Sequence, residues 1–239
     1  MDYENIILQQ ENKRLNRLLT HYSGRHLLQL GEHTLLSLTV SPIVHKIRIS
    51  NTSLSVNIAS FPHIVLQSTY MQLPFASESI DLVLLPHTLE RNKDAKRVLS
   101  ESWRVLAPNG HLILLGINPF SLWGLYRLFT FTKKPVWDGC FYTIQTLCQW
   151  IHCLGGEICH TESFLFRPPL TSRMGPWLFD KLFFLEKISP WLVPYLGGIY
   201  LIIAQKHVRR PSKLGFAWHF PPLLTNKALA PNVREVHYE

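Results

Sequence analysis

The sequence predicts one α/β domain on a mainly parallel sheet of about seven strands, with an amphipathic helix before it and a basic tail after it. Three observations carry this reading. First, residues 79–85 (SIDLVLL) and 111–117 (HLILLGI) are near-continuous apolar runs, the composition of strands at the centre of a parallel sheet. Second, Ala95, Val98, Leu99, Trp103 and Leu106 between them fall on a single helical stripe. Pro108-Asn109-Gly110 then ends that helix and turns the chain into the next strand, completing a βαβ crossover, which is almost always right-handed. Third, 239 residues with 46% hydrophobic and 17% charged side chains suffice for a sizeable core and exclude a disordered or fibrous chain.

The remaining elements follow in order. Residues 3–22 carry Ile7, Leu8, Leu15, Leu18, Leu19 and Tyr22 near helical spacing, and Ser23-Gly24 stops the helix. Residues 26–31 (HLLQLG) read as a buried strand ending in glycine, 45–50 (HKIRIS) as a half-buried alternating strand, and 63–67 (HIVLQ) as a third. After residue 117 comes an aromatic turn from Asn118 to Gly124, then a helix over 143–154 closed by Gly155-Gly156 and a strand over 158–166. Residues 175–193 predict an aromatic helical segment broken near Pro190, and 199–205 a last strand beyond Gly197-Gly198. From Lys206 onward periodicity stops. The organisation is therefore an N-terminal helix over 1–24, a domain over 25–206 and a tail over 207–239, with ligands expected at the carboxyl ends of the strands.

Charge and cysteine content narrow the function classes. Of the formal net charge of +8, half sits in residues 206–239, so the body is only mildly basic. Lys206, Arg209, Arg210 and Lys213, with Phe216 and Trp218 nearby, form a mixture that can hold phosphate and stack bases, or meet an anionic membrane surface. Nucleic acid is the less favoured of these partners, and peripheral membrane contact stays open. Cys140, Cys148, Cys153 and Cys159 show no C-x-x-C spacing, so small buried thiols in a reducing compartment are expected rather than a zinc site. The twelve histidines are scattered and suggest no metal. The acidic opening Met-Asp-Tyr-Glu-Asn is no export signal, and the apolar stretches 112–131 and 177–204 are interrupted by charges and prolines. A cytoplasmic protein is expected.

The block from Leu73-Pro74-Phe75 through Ser79-Ile80-Asp81-Leu82-Val83-Leu84-Leu85-Pro86-His87 resembles the fourth-strand signature of class I S-adenosylmethionine-dependent methyltransferases, closest to the type 11 family. Arg104-Val105-Leu106-Ala107-Pro108-Asn109-Gly110 is similar to that family's R-V-L-x-P-G-G turn, with Asn109 tolerable because asparagine also visits the left-handed region. The matching block spans residues 73–118, and weaker matches extend over roughly 26–205. The resemblance implies a Rossmann-like seven-stranded methyltransferase sheet flanked by helices, with S-adenosylmethionine as cofactor. It implies that Thr69, Tyr70 and Met71 meet the adenine, and that Leu85, Pro86 and His87 border the sulfonium. Its implied acceptor is a small molecule, lipid-like or aromatic as in quinone-pathway relatives, roofed by the aromatic segments 119–126 and 177–191. No catalytic residue is implied, since methyl transfer rests mainly on positioning and exclusion of water.

The pattern also departs from the family. Where E/D-x-G-x-G-x-G is expected, the chain reads Gln29-Leu30-Gly31-Glu32-His33-Thr34-Leu35, keeping only Gly31 and placing a ring at His33. The second strand ends in Ser50-Asn51 instead of the acid that takes both ribose hydroxyls, and the adenine-binding acid is Thr69. Three negative charges are gone. At about 1.5–3 kcal/mol per charge-assisted bond, affinity should fall tens- to hundreds-fold if nothing compensates. A catalytically inactive relative with a binding or regulatory role is therefore the alternative reading.

Overall fold

The computed structural model describes residues 3–31, 38, 40–51, 64–121, 123–124, 139–166 and 197–207. The predicted aromatic helix at 175–193 and the tail beyond 207 lie outside the described residues. The chain divides into compact units at Met1–Val208 and Arg209–Glu239.

Helix α1 (Tyr3–Leu19) precedes strands β1 (His26–Leu30), β2 (His45–Ser50), β3 (Ile64–Gln67) and β4 (Ile80–Pro86). Helix α2 (Ala95–Val105), strand β5 (Leu106–Ile117), helix α3 (Ile144–Cys153), and strands β6 (Gly156–Phe164) and β7 (Ile199–Lys206) complete the order. Seven strands pair as β3-β2-β1-β4-β5-β7-β6. All ladders are parallel up to β5, and β7 runs antiparallel to both β5 and β6. This is the Rossmann-like methyltransferase arrangement, with its order reversing between β1 and β4.

Strand alternation divides the core. Leu28, Val83, Leu85, Leu112, Leu114 and Ile202 point to one face, where Val98, Leu99 and Trp103 of α2 and Leu147 and Ile151 of α3 cover them. Leu27, Leu82, Leu84, Ile113, Leu115 and Leu201 point to the other, against Ile7, Leu15 and Leu19 of α1. Helix α1 is thus no appendage: its apolar stripe closes a sheet face. It stops at Leu19, three residues before the predicted end, where the Thr20 hydroxyl donates to the Arg17 carbonyl at 2.8 Å.

Motif residues prove to be braces. Asp81 accepts the N–H groups of Arg25 (2.7 Å) and His26 (2.9 Å), fixing the entry to β1. Arg104 donates to Glu101, to the Ser77 hydroxyl (3.0 Å) and to the carbonyls of Leu73 (3.3 Å) and Phe75 (3.1 Å), while Glu101 accepts the Leu73 N–H at 2.9 Å. The Leu73-Pro74-Phe75 loop is therefore fastened to α2. Lys206 at the end of β7 donates to the carbonyls of Trp103 (3.1 Å) and Leu106 (2.7 Å), satisfying the open end of α2. The predicted turn at 108–110 falls within the irregular start of β5, where the register against β4 shifts, and Asn109 adopts φ 62° there, as its residue type allows.

One expectation fails. Cys140, Cys153 and Cys159 are exposed and Cys148 half-buried, all as free thiols, where burial was expected. Cys140 lies in the loop before α3, Cys153 falls off the Ile144/Leu147/Ile151 stripe, and Cys159 is on β6 at the sheet's edge. Among the described residues no helix is long and apolar enough to cross a membrane.

Candidate functional site

The tips of β1, β2 and β4 meet around a small cleft of about 80 Å³ that opens to solvent. Its wall is made by Gly31 after β1, Asn51 after β2, Tyr70 from the loop after β3, Pro86, His87 and Thr88 at the tip of β4, and Arg91 and Asn92 beyond. Here the parallel order reverses, so the loops leaving β1 and β4 part and leave room between them.

Gly31 has φ 128°, a conformation L side chains rarely adopt, and a Cβ there would stand 3.0 Å from the Thr88 hydroxyl. Its N–H donates to the Ile49 carbonyl at 3.1 Å, and its carbonyl accepts from the buried Arg48 guanidinium at 3.3 Å. The bare backbone of this turn is therefore held rigidly at the cleft. Thr88 closes the other side, its hydroxyl donating to the Leu30 carbonyl at 2.5 Å. Tyr70 is buried, and its phenol oxygen accepts the Asn51 N–H at 3.1 Å, joining the β2 tip to the loop after β3.

Five of the residues named from sequence converge here: Gly31, Asn51, Tyr70, Pro86 and His87. Others do not. Gln29, Ser50 and Leu85 are buried in the sheet behind the wall. Met71 is half-buried against the core, and the exposed Thr69 turns its hydroxyl back to the Met71 N–H at 3.5 Å. His33 lies outside the described residues. Trp123 of the aromatic turn is buried in the α1-side core, while neighbouring Phe120 is 75% exposed.

The strongest polar constellation was not anticipated as a unit. His87, at φ 53° and with its N–H on the Leu115 carbonyl at 3.0 Å, is clamped between two buried carboxylates. Its Nε2 lies 2.6 Å from Glu11 of α1, and its Nδ1 lies 3.0 Å from Glu90. Glu90 also accepts the Ile117 N–H, tying β4 to the end of β5. Burial opposes a charge on the ring, but the Coulomb attraction of Glu11 and then Glu90, with their hydrogen bonds, overcomes it and raises the His87 pKa to about 10. His87 is an imidazolium at neutral pH, donating both ring protons. Glu11 could have been noticed: with Ile7, Leu15 and Leu19 it repeats every four residues along the buried stripe of α1. Arg48 carried no such signal, because an alternating strand with Lys46 and Arg48 does not say which face is covered.

Comparison with known proteins accords with this geometry. Residues 24–114 match the family model described as a methyltransferase domain. The uncharacterized protein YafS of Escherichia coli K12 is 29% identical over 196 residues, covering 81% of this chain and 73% of that protein. A SAM-dependent methyltransferase from Archaeoglobus fulgidus superposes with a TM-score of 0.60 at 19% identity, over 83% of this chain and 94% of that one. A protein from Thermotoga maritima described as a possible histamine N-methyltransferase superposes with a TM-score of 0.60 at 18% identity, over 86% and 95%. At these identities the structural likenesses establish the fold.

Proposed function

We propose that the chain, whose residues 24–114 match the methyltransferase-domain model, transfers a methyl group from S-adenosylmethionine to a small acceptor. The observation that carries this reading is the cleft at the reversal point between β1 and β4, kept open by a glycine whose missing side chain would crowd Thr88. Part of the lining suits the group, with backbone at Gly31 and neutral hydrogen-bonding residues at Asn51, Tyr70 and Thr88, while His87 and Arg91 bring positive charge to the same wall. When bound, S-adenosylmethionine supplies a methyl carbon on a sulfonium, open to in-line displacement.

What the chain's residues contribute is placement. Gly31 and Thr88 border the cleft from opposite strands, Tyr70 and Asn51 close its β2 side, and Pro86 limits water at the β4 tip. His87 holds protons on both nitrogens and donates them to Glu11 and Glu90, so it cannot serve as a general base near neutrality. A proton released by the acceptor must leave by another route. A lipid-like or aromatic acceptor is supported by Phe120, exposed just beyond the β5 tip. Peripheral contact with a membrane would suit such an acceptor.

The observation favouring a non-catalytic binding role is that, among the described residues, no carboxylate lines the cleft directly. Calorimetry separates the two readings. A saturable heat with S-adenosylhomocysteine, lost in Gly31→Val, is expected; no heat and no thermal shift at millimolar ligand would end the methyltransferase proposal.

A further inference from the structure

Positions 29, 50/51 and 69, where acids are expected to meet a cationic cofactor, are Gln, Ser/Asn and Thr. Yet two carboxylates are bound to a residue of the cleft wall. Glu11 and Glu90 are 1% and 5% exposed, and His87, whose ring joins them, is one of the residues that line the cleft. Two carboxylates about one imidazolium leave this cluster with an excess of one negative charge. The two carboxylates are themselves shielded from water, so their charge is screened less on its way to the cleft than a surface charge would be.

Of the two carboxylates, Glu90 has a second task, because its other oxygen receives the Ile117 N–H. Glu11 comes from a different element altogether, 76 residues away in sequence, and reaches Nε2 at 2.6 Å. The helix could have filled this position with another leucine of its stripe. A buried acid there costs desolvation that hydrophobic burial of α1 does not require.

We propose that Glu11, carried in by α1, supplies through His87 the negative charge that the cleft lacks at positions 29, 50/51 and 69, making the N-terminal helix a working part of the cofactor site. This inference rests on the methyltransferase reading above. Glu11 is a positioning residue in it: it acts on the bound group through the imidazolium and touches nothing in the cleft. Among the described residues, the other cations around the cleft are Arg48, held behind it on the Gly31 carbonyl, and the exposed Arg91 on its wall. Both add positive charge, so losing Glu11 shifts the balance against a cation.

The test uses a pair of ligands that differ in charge at one atom. S-adenosylmethionine is a sulfonium, and S-adenosylhomocysteine is the neutral thioether. In the full chain, Glu11→Gln should weaken S-adenosylmethionine by about tenfold more than S-adenosylhomocysteine, read as two Kd values by calorimetry. Glu11→Asp, which keeps the charge and draws it back by one methylene, should lose roughly two- to threefold in the same ratio. It carries the test if the glutamine variant does not fold. An equal loss for both ligands in a folded variant overturns the proposal, since a purely structural role for Glu11 cannot distinguish a sulfonium from a thioether. If the unaltered chain binds neither ligand, the methyltransferase reading itself fails, and this inference with it.

Discussion

Gly31 and His87 are the two residues of the cleft with unusual backbones, and they fail differently when changed. At Gly31 any side chain meets both the φ of 128° and the Thr88 hydroxyl. Gly31→Ala should cost about 1–3 kcal/mol in denaturant unfolding and weaken nucleoside binding further, because the methyl group stands beside the cleft. His87 governs a pH dependence. Its folded pKa is about 10 against an unfolded value near 6.5, so the charged ring stabilises the fold fully below about pH 6.5. That contribution declines as pH rises and is gone above about pH 10. Denaturation at pH 7, 8.5 and 10 should show stability falling by an amount on the order of a few kcal/mol, with the slope removed in His87→Gln. By the same reasoning a pH–rate profile should lack an inflection near 6.5 from this residue. Position 87 was marked from the strand motif, but its state was not legible there: a charge set by a partner 76 residues away leaves no local pattern.

At the scale of elements, α2 and the loop it carries behave as a unit. The Arg104 guanidinium gathers Glu101, Ser77 and the Leu73 and Phe75 carbonyls, so Arg104→Ala should release the loop. Hydrogen exchange at the Leu73 amide should accelerate by roughly tenfold, while amides in β4 and β5 keep their protection. The global cost should stay near 1 kcal/mol, because the side chain is partly exposed and screened. Helix α2 was readable from Ala95, Val98, Leu99 and Trp103 because one stripe against one sheet face is a periodic signal. Its carbonyl cap was not, since Lys206 arrives from the far end of the chain. Helix α1 was readable as amphipathic, and its four-residue repeat puts Glu11 on the buried stripe, but nothing in that periodicity says that the acid meets His87 behind the cleft. The exposed cysteines escaped for a related reason: composition says what a thiol prefers, while the edge position of β6 decides what Cys159 receives.

For the whole molecule, a ligand that binds only the folded sheet must raise its melting temperature. At a hundredfold excess over Kd the gain is about 2.7 kcal/mol, or roughly 5–10 °C for a domain of this size. S-adenosylhomocysteine should produce that shift, and Gly31→Val should abolish it. The strand count and parallel half of the sheet were legible because buried parallel strands announce themselves as continuous apolar runs. The strand order was not: alternation and composition are silent on which neighbour β7 takes. That placement has a consequence for how the protein is made. Residues 199–206 slot between β5 and β6, so the one described strand that β6 pairs with is synthesised after it. A nascent chain that has not yet emitted residue 206 holds two raw strand flanks side by side, open to any other chain with a spare ladder. Ribosomal products stopped just short of Gly197 should therefore accumulate in inclusion bodies, whereas those extended past His207 should reach the soluble fraction.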